Sequence, residues 1–234
     1  MRSFLRSSIG KKVIIAITGL LLLGFLLAHL AGNLLIFRGP DALNAYAKKL
    51  RDLGPWLWVA RIGLITAAIA HLGISILVTI ENRRARQQRY AVYHSSKTTW
   101  AARTMMLSGA LFLAYLVYHL LHFTFHVAHP ALTRFTDGAG HPSVYAMVVM
   151  SFRRWPIVAA YVLGVGIVCV HLSHGIASGV QTLGLNNERT LRVVAHLARL
   201  LALAIFLGYV SIPAAVMCGV VGRDLVVAFT ETSR

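Results

Sequence analysis

The chain has 234 residues, of which 57% are hydrophobic, and its formal net charge is +16 at pH 7. Ordinary soluble domains contain roughly 45–50% apolar residues, so the composition excludes a typical soluble domain. The charge does not indicate a nucleic-acid-binding protein, because the basic residues lie in short stretches between apolar segments rather than along one face.

Five apolar segments predict membrane-spanning helices, since about 20 helical residues cross a hydrocarbon core of about 30 Å. The first segment is interpreted as a span rather than a signal peptide, because it is too long for a cleavable apolar region and carries His29 and Asn33. The predicted fold is all-α, a single five-helix transmembrane bundle over residues 1–234. Its spans cover about residues 13–37, 56–80, 104–127, 156–181 and 193–221.

The loop charges predict an orientation. Twelve lysines and arginines lie near one set of span ends and nine near the other. The positive-inside rule therefore predicts a multi-pass protein of the cytoplasmic (inner) membrane, with its N-terminus in the cytoplasm and its C-terminus outside. Cys169 and Cys218 lie in separate spans without a C-x-x-C motif, which excludes a cysteine zinc site, an iron–sulfur centre or a covalent haem within this chain.

Each of the first four spans carries a histidine whose depth in the membrane follows from the number of residues between it and the end of the span. His29 lies about eight residues before the outer end of the first span, and His119 lies sixteen residues after Arg103 in the third. His71 and His171 each lie about fifteen residues after the outer start of an inward-running span. At 1.5 Å per residue, these counts place His29 and His119 in an outer layer and His71 and His171 in an inner layer, roughly 10 Å apart in depth.

An imidazole in hydrocarbon needs a partner, because an unsatisfied polar group there costs several kcal/mol. Two imidazoles at one depth on different helices are what a bis-histidine haem requires, so the two layers predict two haems b. Packed core histidines, or a haem-free transporter whose histidines bind substrate or relay protons, are the alternatives. His122 and His126 are expected to share a helix face with His119 and to contact haem propionates or a quinone near the outer surface.

Four motifs spread over nearly the whole chain are specific in combination. They read Gly10-Lys-Lys-Val-Ile-Ile-Ala-Ile-Thr-Gly19, His29-Leu-Ala-Gly-Asn33, Gly39-Pro-Asp-Ala-Leu-Asn-Ala-Tyr46 and His171-Leu-Ser-His-Gly-Ile-Ala-Ser-Gly-Val-Gln-Thr-Leu-Gly184. Together they resemble the single-chain, di-haem cytochrome b subunit of succinate:quinone oxidoreductases, the cytochrome b558 family of succinate dehydrogenases and fumarate reductases. The resemblance implies a five-helix anchor with two haems b and a quinone site.

The resemblance also implies which histidines bind iron. By position, the axial ligands are His29 and His119 for the outer haem, and His71 and His171 for the inner haem. His174 is an alternative ligand one turn beyond His171 in the fourth span. His171 is preferred, because a small residue and a glycine follow the family's ligand at the second and fourth positions, as Ser173 and Gly175 do here.

The activity implied by the resemblance belongs to respiratory complex II, which joins the tricarboxylic acid cycle to the respiratory chain. Succinate would be oxidised on a flavoprotein subunit carrying FAD, and electrons would pass through an iron–sulfur subunit and the haems to a quinone, expected to be menaquinone. This chain contains no dicarboxylate site that we identify, and Asn33, Arg38, His122 and His126 are candidate quinone or propionate contacts. The cytochrome b subunit of a quinol:fumarate reductase, or of another di-haem membrane oxidoreductase, is the alternative, and a higher oligomer of the complex is left open.

Overall fold

The computed structural model describes residues 7–85, 103–132, 135–137, 140–184, 187–223 and 225. Within these ranges the regular structure is helical, apart from an isolated β-bridge between Thr136 and Pro142. The prediction of an all-α fold is therefore confirmed for the described residues. In chain order the α-helices are α1 (Ser8–Asn33), α2 (Pro40–Asp52), α3 (Pro55–Ala85), α4 (Met105–Phe123), α5 (Val144–Phe152), α6 (Trp155–Thr182) and α7 (Glu188–Met217), and short 3-10 helices cover Leu34–Arg38 and Pro130–Leu132.

In the part of the chain that the structure describes, five helices are long and apolar enough to cross a membrane: α1 with the 3-10 helix that follows it, α3, α4, α6 and α7. They overlap the five segments predicted from the sequence, so the prediction of five helices of this kind is confirmed, and they indicate a multi-pass membrane protein. Large apolar side chains such as Ile69, Leu163 and Leu200 are exposed on these helices. Lipid tails solvate such side chains as well as a protein interior does.

The third span ends earlier than predicted. Helix α4 stops at Phe123, four residues before the predicted end, and His126 adopts a left-handed backbone with a φ of 57°. The backbone N–H groups of Thr124 and Phe125 both donate to the Leu120 carbonyl, which closes the helix. A residue in the left-handed conformation commonly ends an α-helix in this way.

The fifth span begins earlier than predicted. Helix α7 starts at Glu188, five residues before the predicted start at Val193. The side chain of Asn187 accepts a hydrogen bond of 2.9 Å from the backbone N–H of Arg189, which is a helix N-cap. Because the first turn is polar, a search for apolar residues does not include it.

Two helices lie in segments predicted to be outer loops. Helix α2 has Pro40 at its first position, Asp41 in its first turn, and Lys49 and Arg51 in its last turn. This arrangement favours a helix start and complements the helix dipole at both ends. The helix is too polar to be predicted from apolar content, so the sequence analysis missed it.

Helix α5 was missed for a different reason, because nine residues are too short for a span. Ser143 caps this helix by accepting a hydrogen bond of 3.2 Å from the backbone N–H of Ala146. Asn44 of α2 donates to the Ser143 hydroxyl over 3.2 Å and accepts from the backbone N–H of Tyr145 over 3.0 Å. These hydrogen bonds join α2 to α5.

The chain folds into two compact units, each assembled from parts of several helices. The first unit comprises Met1–Leu27, Pro55–Met106 and Val170–Ala202, and it contains an ion pair between Lys11 and Glu81. The second unit comprises Ala28–Gly54, Leu107–Cys169 and Leu203–Arg234. The second unit has a buried apolar core, which includes Ile36, Leu43, Val149, Phe152, Tyr161, Ile212 and Val216.

Candidate functional site

The second unit brings together His29 of α1 and His119 of α4, the two histidines of the predicted outer layer. Their ring centres lie 5.9 Å apart, and the ring planes are nearly perpendicular at 87°. Each histidine lies four residues before the end of its α-helix, which is Asn33 in α1 and Phe123 in α4. We call this arrangement the outer pair.

Aromatic side chains surround the outer pair. Four aromatic rings have their centres 5.8 to 6.3 Å from the centre of one of the two imidazoles. Rigid aromatic walls around a few polar groups are typical of sites for flat organic ligands. The four residues are Tyr115, Phe123, Tyr161 and Tyr209.

The chemistry of the outer pair fits an iron ligand. The Nδ1 atom of His119 is buried and has no hydrogen-bond partner within the described residues. An unpartnered buried polar atom costs about 1–3 kcal/mol, so this nitrogen is available to a ligand. The two imidazoles, 5.9 Å apart, are the residues that could together hold a haem iron at this site.

The first unit contains His71 of α3 and His171 of α6, the histidines of the predicted inner layer. Both lie sixteen residues after the first residue of their helix, which is Pro55 in α3 and Trp155 in α6. We call His71 and His171 the inner pair, and His174 lies one turn further along α6.

One histidine of the inner pair hydrogen bonds to a backbone group through one ring nitrogen. The Nδ1 atom of His71 lies 3.1 Å from the carbonyl oxygen of Ile15. A histidine that binds a metal usually donates its other N–H group to a carbonyl or carboxylate, which fixes its tautomer. His71 therefore fits a metal ligand.

The described residues contain no group of three or more histidine, cysteine, aspartate or glutamate side chains that could hold a metal ion. Each histidine pair by itself supplies two imidazole ligands, and a porphyrin is one cofactor that could supply the others.

His122 is fully buried and both of its ring nitrogens have partners. Nδ1 lies 3.0 Å from the Tyr161 hydroxyl and Nε2 lies 3.1 Å from the Ser151 hydroxyl. The imidazole also stacks on Phe123, with ring centres 4.0 Å apart and planes inclined by 16°. His122 therefore links α4 to α5 and α6. Its predicted contact with a quinone or propionate stays a prediction and would require one of these hydrogen bonds to be exchanged.

The other candidate contacts lie at helix ends. The Asn33 side chain donates a hydrogen bond of 2.7 Å to the His29 carbonyl, and Arg38 is exposed at the end of the 3-10 helix. His126 is exposed, and its Nε2 lies 3.2 Å from the Phe123 carbonyl oxygen. The expectation that His126 shares a helix face with His119 is wrong, because α4 ends at Phe123 and His126 lies outside the helix.

The hydroxyl side chains beside these histidines were not predicted from the sequence. Thr18 contacts His71, while Tyr161 and Ser151 contact His122. Their only signal in the sequence is a hydroxyl group within or beside an apolar span, where a hydrogen-bond partner is needed. Many such hydroxyls bond to their own helix, so this signal alone does not identify a site.

Gly164 of α6 offers a test of the packing behind the outer pair. A Cβ atom at this position would overlap the ring of Tyr115, which lies beside His119. We expect Gly164→Ala to lower the stability by about 1–3 kcal/mol, the usual cost of overpacking. Thermal unfolding in detergent measures the change. Gly63→Ala is the matched control, since a Cβ at Gly63 meets nothing within 4 Å, and equal midpoints for the two variants would contradict the packing argument.

Comparisons with protein-family models, with curated proteins and with solved structures returned no match for this chain. Its two histidine pairs and its sequence motifs are therefore the grounds for a functional proposal.

Proposed function

We propose that this chain is a di-haem cytochrome b that anchors a succinate:quinone oxidoreductase in the membrane. The observation that carries the proposal is the pairing of histidines across membrane-spanning helices, above all the separation of 5.9 Å between the rings of His29 and His119. The buried Nδ1 of His119 has no hydrogen-bond partner among the described residues, which leaves it available to a cofactor and supports the proposal. The resemblance of the four sequence motifs supports the class of complex.

The side chains of the chain would hold and insulate the cofactors. When bound, each haem supplies a one-electron carrier between the iron–sulfur subunit and the quinone. The outer pair would hold one haem from two sides, and the inner pair would hold the other. The aromatic rings around the outer pair would exclude water, which strengthens electrostatic interactions at the site.

The outer helix ends suit quinone chemistry. Reduction of a quinone to a quinol consumes two electrons and two protons, so the site needs groups that bind the quinone oxygens and pass protons. Arg38 and His126 are exposed beyond the ends of α1 and α4, and Asn33 is hydrogen bonded to the His29 backbone. In the proposed orientation, with the N-terminus in the cytoplasm, these residues would lie at the outer side of the membrane, and the quinone would be menaquinone.

The inner helix ends suit the partner subunits. Arg83 and Arg84 are exposed in the last turn of α3. The basic segment continues to Arg86 and Arg89, which lie outside the described residues. Positive charge at a cytoplasmic face attracts anionic lipid headgroups and an acidic surface of a docking subunit. We therefore propose that the flavoprotein and iron–sulfur subunits dock at this face.

The proposal is tested by purifying the chain with its partners in a mild detergent. We expect two haems b for each copy of the chain, both low-spin, since bis-histidine ligation gives six-coordinate iron. A reduced-minus-oxidised absorption spectrum with haem quantitation measures this, and mass spectrometry identifies the partner subunits. Flavoprotein and iron–sulfur subunits should be present, and succinate should reduce a menaquinone analogue.

Other outcomes would contradict specific parts of the proposal. Two haems with different partner subunits would indicate another di-haem membrane oxidoreductase. Faster quinol-dependent fumarate reduction than succinate oxidation would favour a quinol:fumarate reductase. A preparation that is folded but contains no haem would exclude the cytochrome and leave a transporter as the better explanation.

A further inference from the structure

Helix α1 contacts a histidine of the inner pair although α1 carries neither of that pair's residues. The Nδ1 atom of His71 lies 3.1 Å from the carbonyl oxygen of Ile15 and 3.2 Å from the hydroxyl oxygen of Thr18. A carbonyl oxygen accepts hydrogen bonds but cannot donate them. The hydrogen therefore lies on Nδ1 of His71, and Nε2 carries the lone pair that a metal ligand needs.

The Thr18 hydroxyl is oriented by its own helix. Thr18 is buried, and its hydroxyl lies 2.7 Å from the Ile14 carbonyl oxygen and 3.1 Å from that of Ile15. Donation to these carbonyls, which is common for threonine in membrane helices, directs the hydroxyl hydrogen away from His71. The hydroxyl oxygen is then left as a second acceptor for the Nδ1 hydrogen.

Gly19 makes the close approach of α1 to His71 possible. A Cβ atom at Gly19 would lie 3.1 Å from Cε1 and 3.5 Å from Nδ1 of His71. The first distance is shorter than an ordinary carbon–carbon contact of about 3.5–4.0 Å, so the ring would have to move. Gly24 lies on the same helix, but a Cβ there would meet nothing within 4 Å.

We propose that the Ile15 carbonyl, the Thr18 hydroxyl and the bare backbone of Gly19 form a positioning site that fixes the tautomer and ring orientation of His71 as a haem ligand. The inference rests on the proposed function, because it assigns these residues a role in haem ligation. Partners of this kind raise the basicity of the ligating nitrogen and orient the ring toward the metal. Thr18 and Gly19 would thus tune one haem without touching it.

The first test removes the hydroxyl. In the purified complex, Thr18→Val deletes one acceptor of the Nδ1 hydrogen, so the ligand becomes a weaker base and the oxidised haem is less stabilised. We expect an upward shift in the midpoint potential of one haem, measured by redox titration, and no shift in the other. Thr18→Ser keeps the hydroxyl and should restore the wild-type potential. Unchanged potentials in Thr18→Val, or a shift that Thr18→Ser does not reverse, would overturn the proposal.

The second test moves the ring. Gly19→Ala should shift the low-spin electron paramagnetic resonance signal of the same haem, because the added methyl group displaces His71. Gly24→Ala gains the same helix propensity and should leave both signals at their wild-type positions. Equal effects of the two substitutions would contradict a specific role for Gly19. A wild-type preparation without haem would overturn the proposed function. Two low-spin haems whose potentials and signals are unchanged in Thr18→Val and Gly19→Ala would overturn only the positioning site.

Discussion

Leucine in place of His119 is expected to remove about half of the haem b, because one of the two proposed bis-histidine sites would lose a ligand. The loss should fall on the outer haem, since His119 pairs with His29 at 5.9 Å. Quinone reduction should stop, while oxidation of succinate with a soluble dye persists on the assembled flavoprotein. Haem quantitation and electron paramagnetic resonance, which should show the loss of one low-spin signal, measure the effect.

His122 on the same helix provides the control. Both of its ring nitrogens are occupied, by the hydroxyls of Tyr161 and Ser151, so its replacement should leave both low-spin haems in place. His122→Leu leaves two buried hydroxyls without this hydrogen-bond partner, and each unsatisfied hydroxyl costs about 1–3 kcal/mol of stability. Lower thermal stability is therefore expected. His122→Gln retains hydrogen-bonding groups and should be better folded. If His122→Gln loses the outer low-spin signal while His119→Leu keeps it, the ligand assignment on α4 is wrong.

The long apolar helices and the positions of their histidines along them could be predicted because both depend on position along the chain. An apolar run long enough to cross the bilayer is visible in the sequence, and residue counts from its ends place His29, His71, His119 and His171 along their helices. Position along a helix does not specify which way a side chain points. The proximity of the rings of His29 and His119 therefore had to come from the structure.

The contacts that distinguish the histidines from one another could not be predicted. The hydrogen bond of His71 to the Ile15 carbonyl joins residues 56 positions apart, and that of His122 to Tyr161 joins residues 39 apart. Such contacts depend on helix rotation, which packing sets and apolar content does not reveal. Helix α5 was missed on similar grounds, because its buried face is recognisable only against its partners. The left-handed residue His126 follows the end of α4 by three positions, and histidine is a weak signal for that conformation.

The second large expected effect is the loss of the inner haem when its ligand on α6, either His171 or His174, is replaced. We expect His171→Leu to remove the inner haem and leave the outer one, and His174→Leu to retain both. His171 matches the family resemblance, because Ser173 and Gly175 follow it at the second and fourth positions. His174 lies one turn away on the same helix and is the alternative ligand.

His171 and His174 are distinguished by comparing variants that each lack one histidine and are purified in the same way. His171→Leu and His119→Leu should each retain about half of the haem b, and the two surviving low-spin signals should add up to the wild-type spectrum, because each variant spares the other pair's haem. Two variants that lose the same signal would show that His171 and His119 serve one haem. Loss of the inner signal in His174→Leu, with its retention in His171→Leu, would move the ligand one turn along α6. If His171 is the ligand, Thr18→Val combined with His119→Leu should show the expected potential shift, because His119→Leu keeps the haem on His71. Thr18→Val combined with His171→Leu should show no such shift.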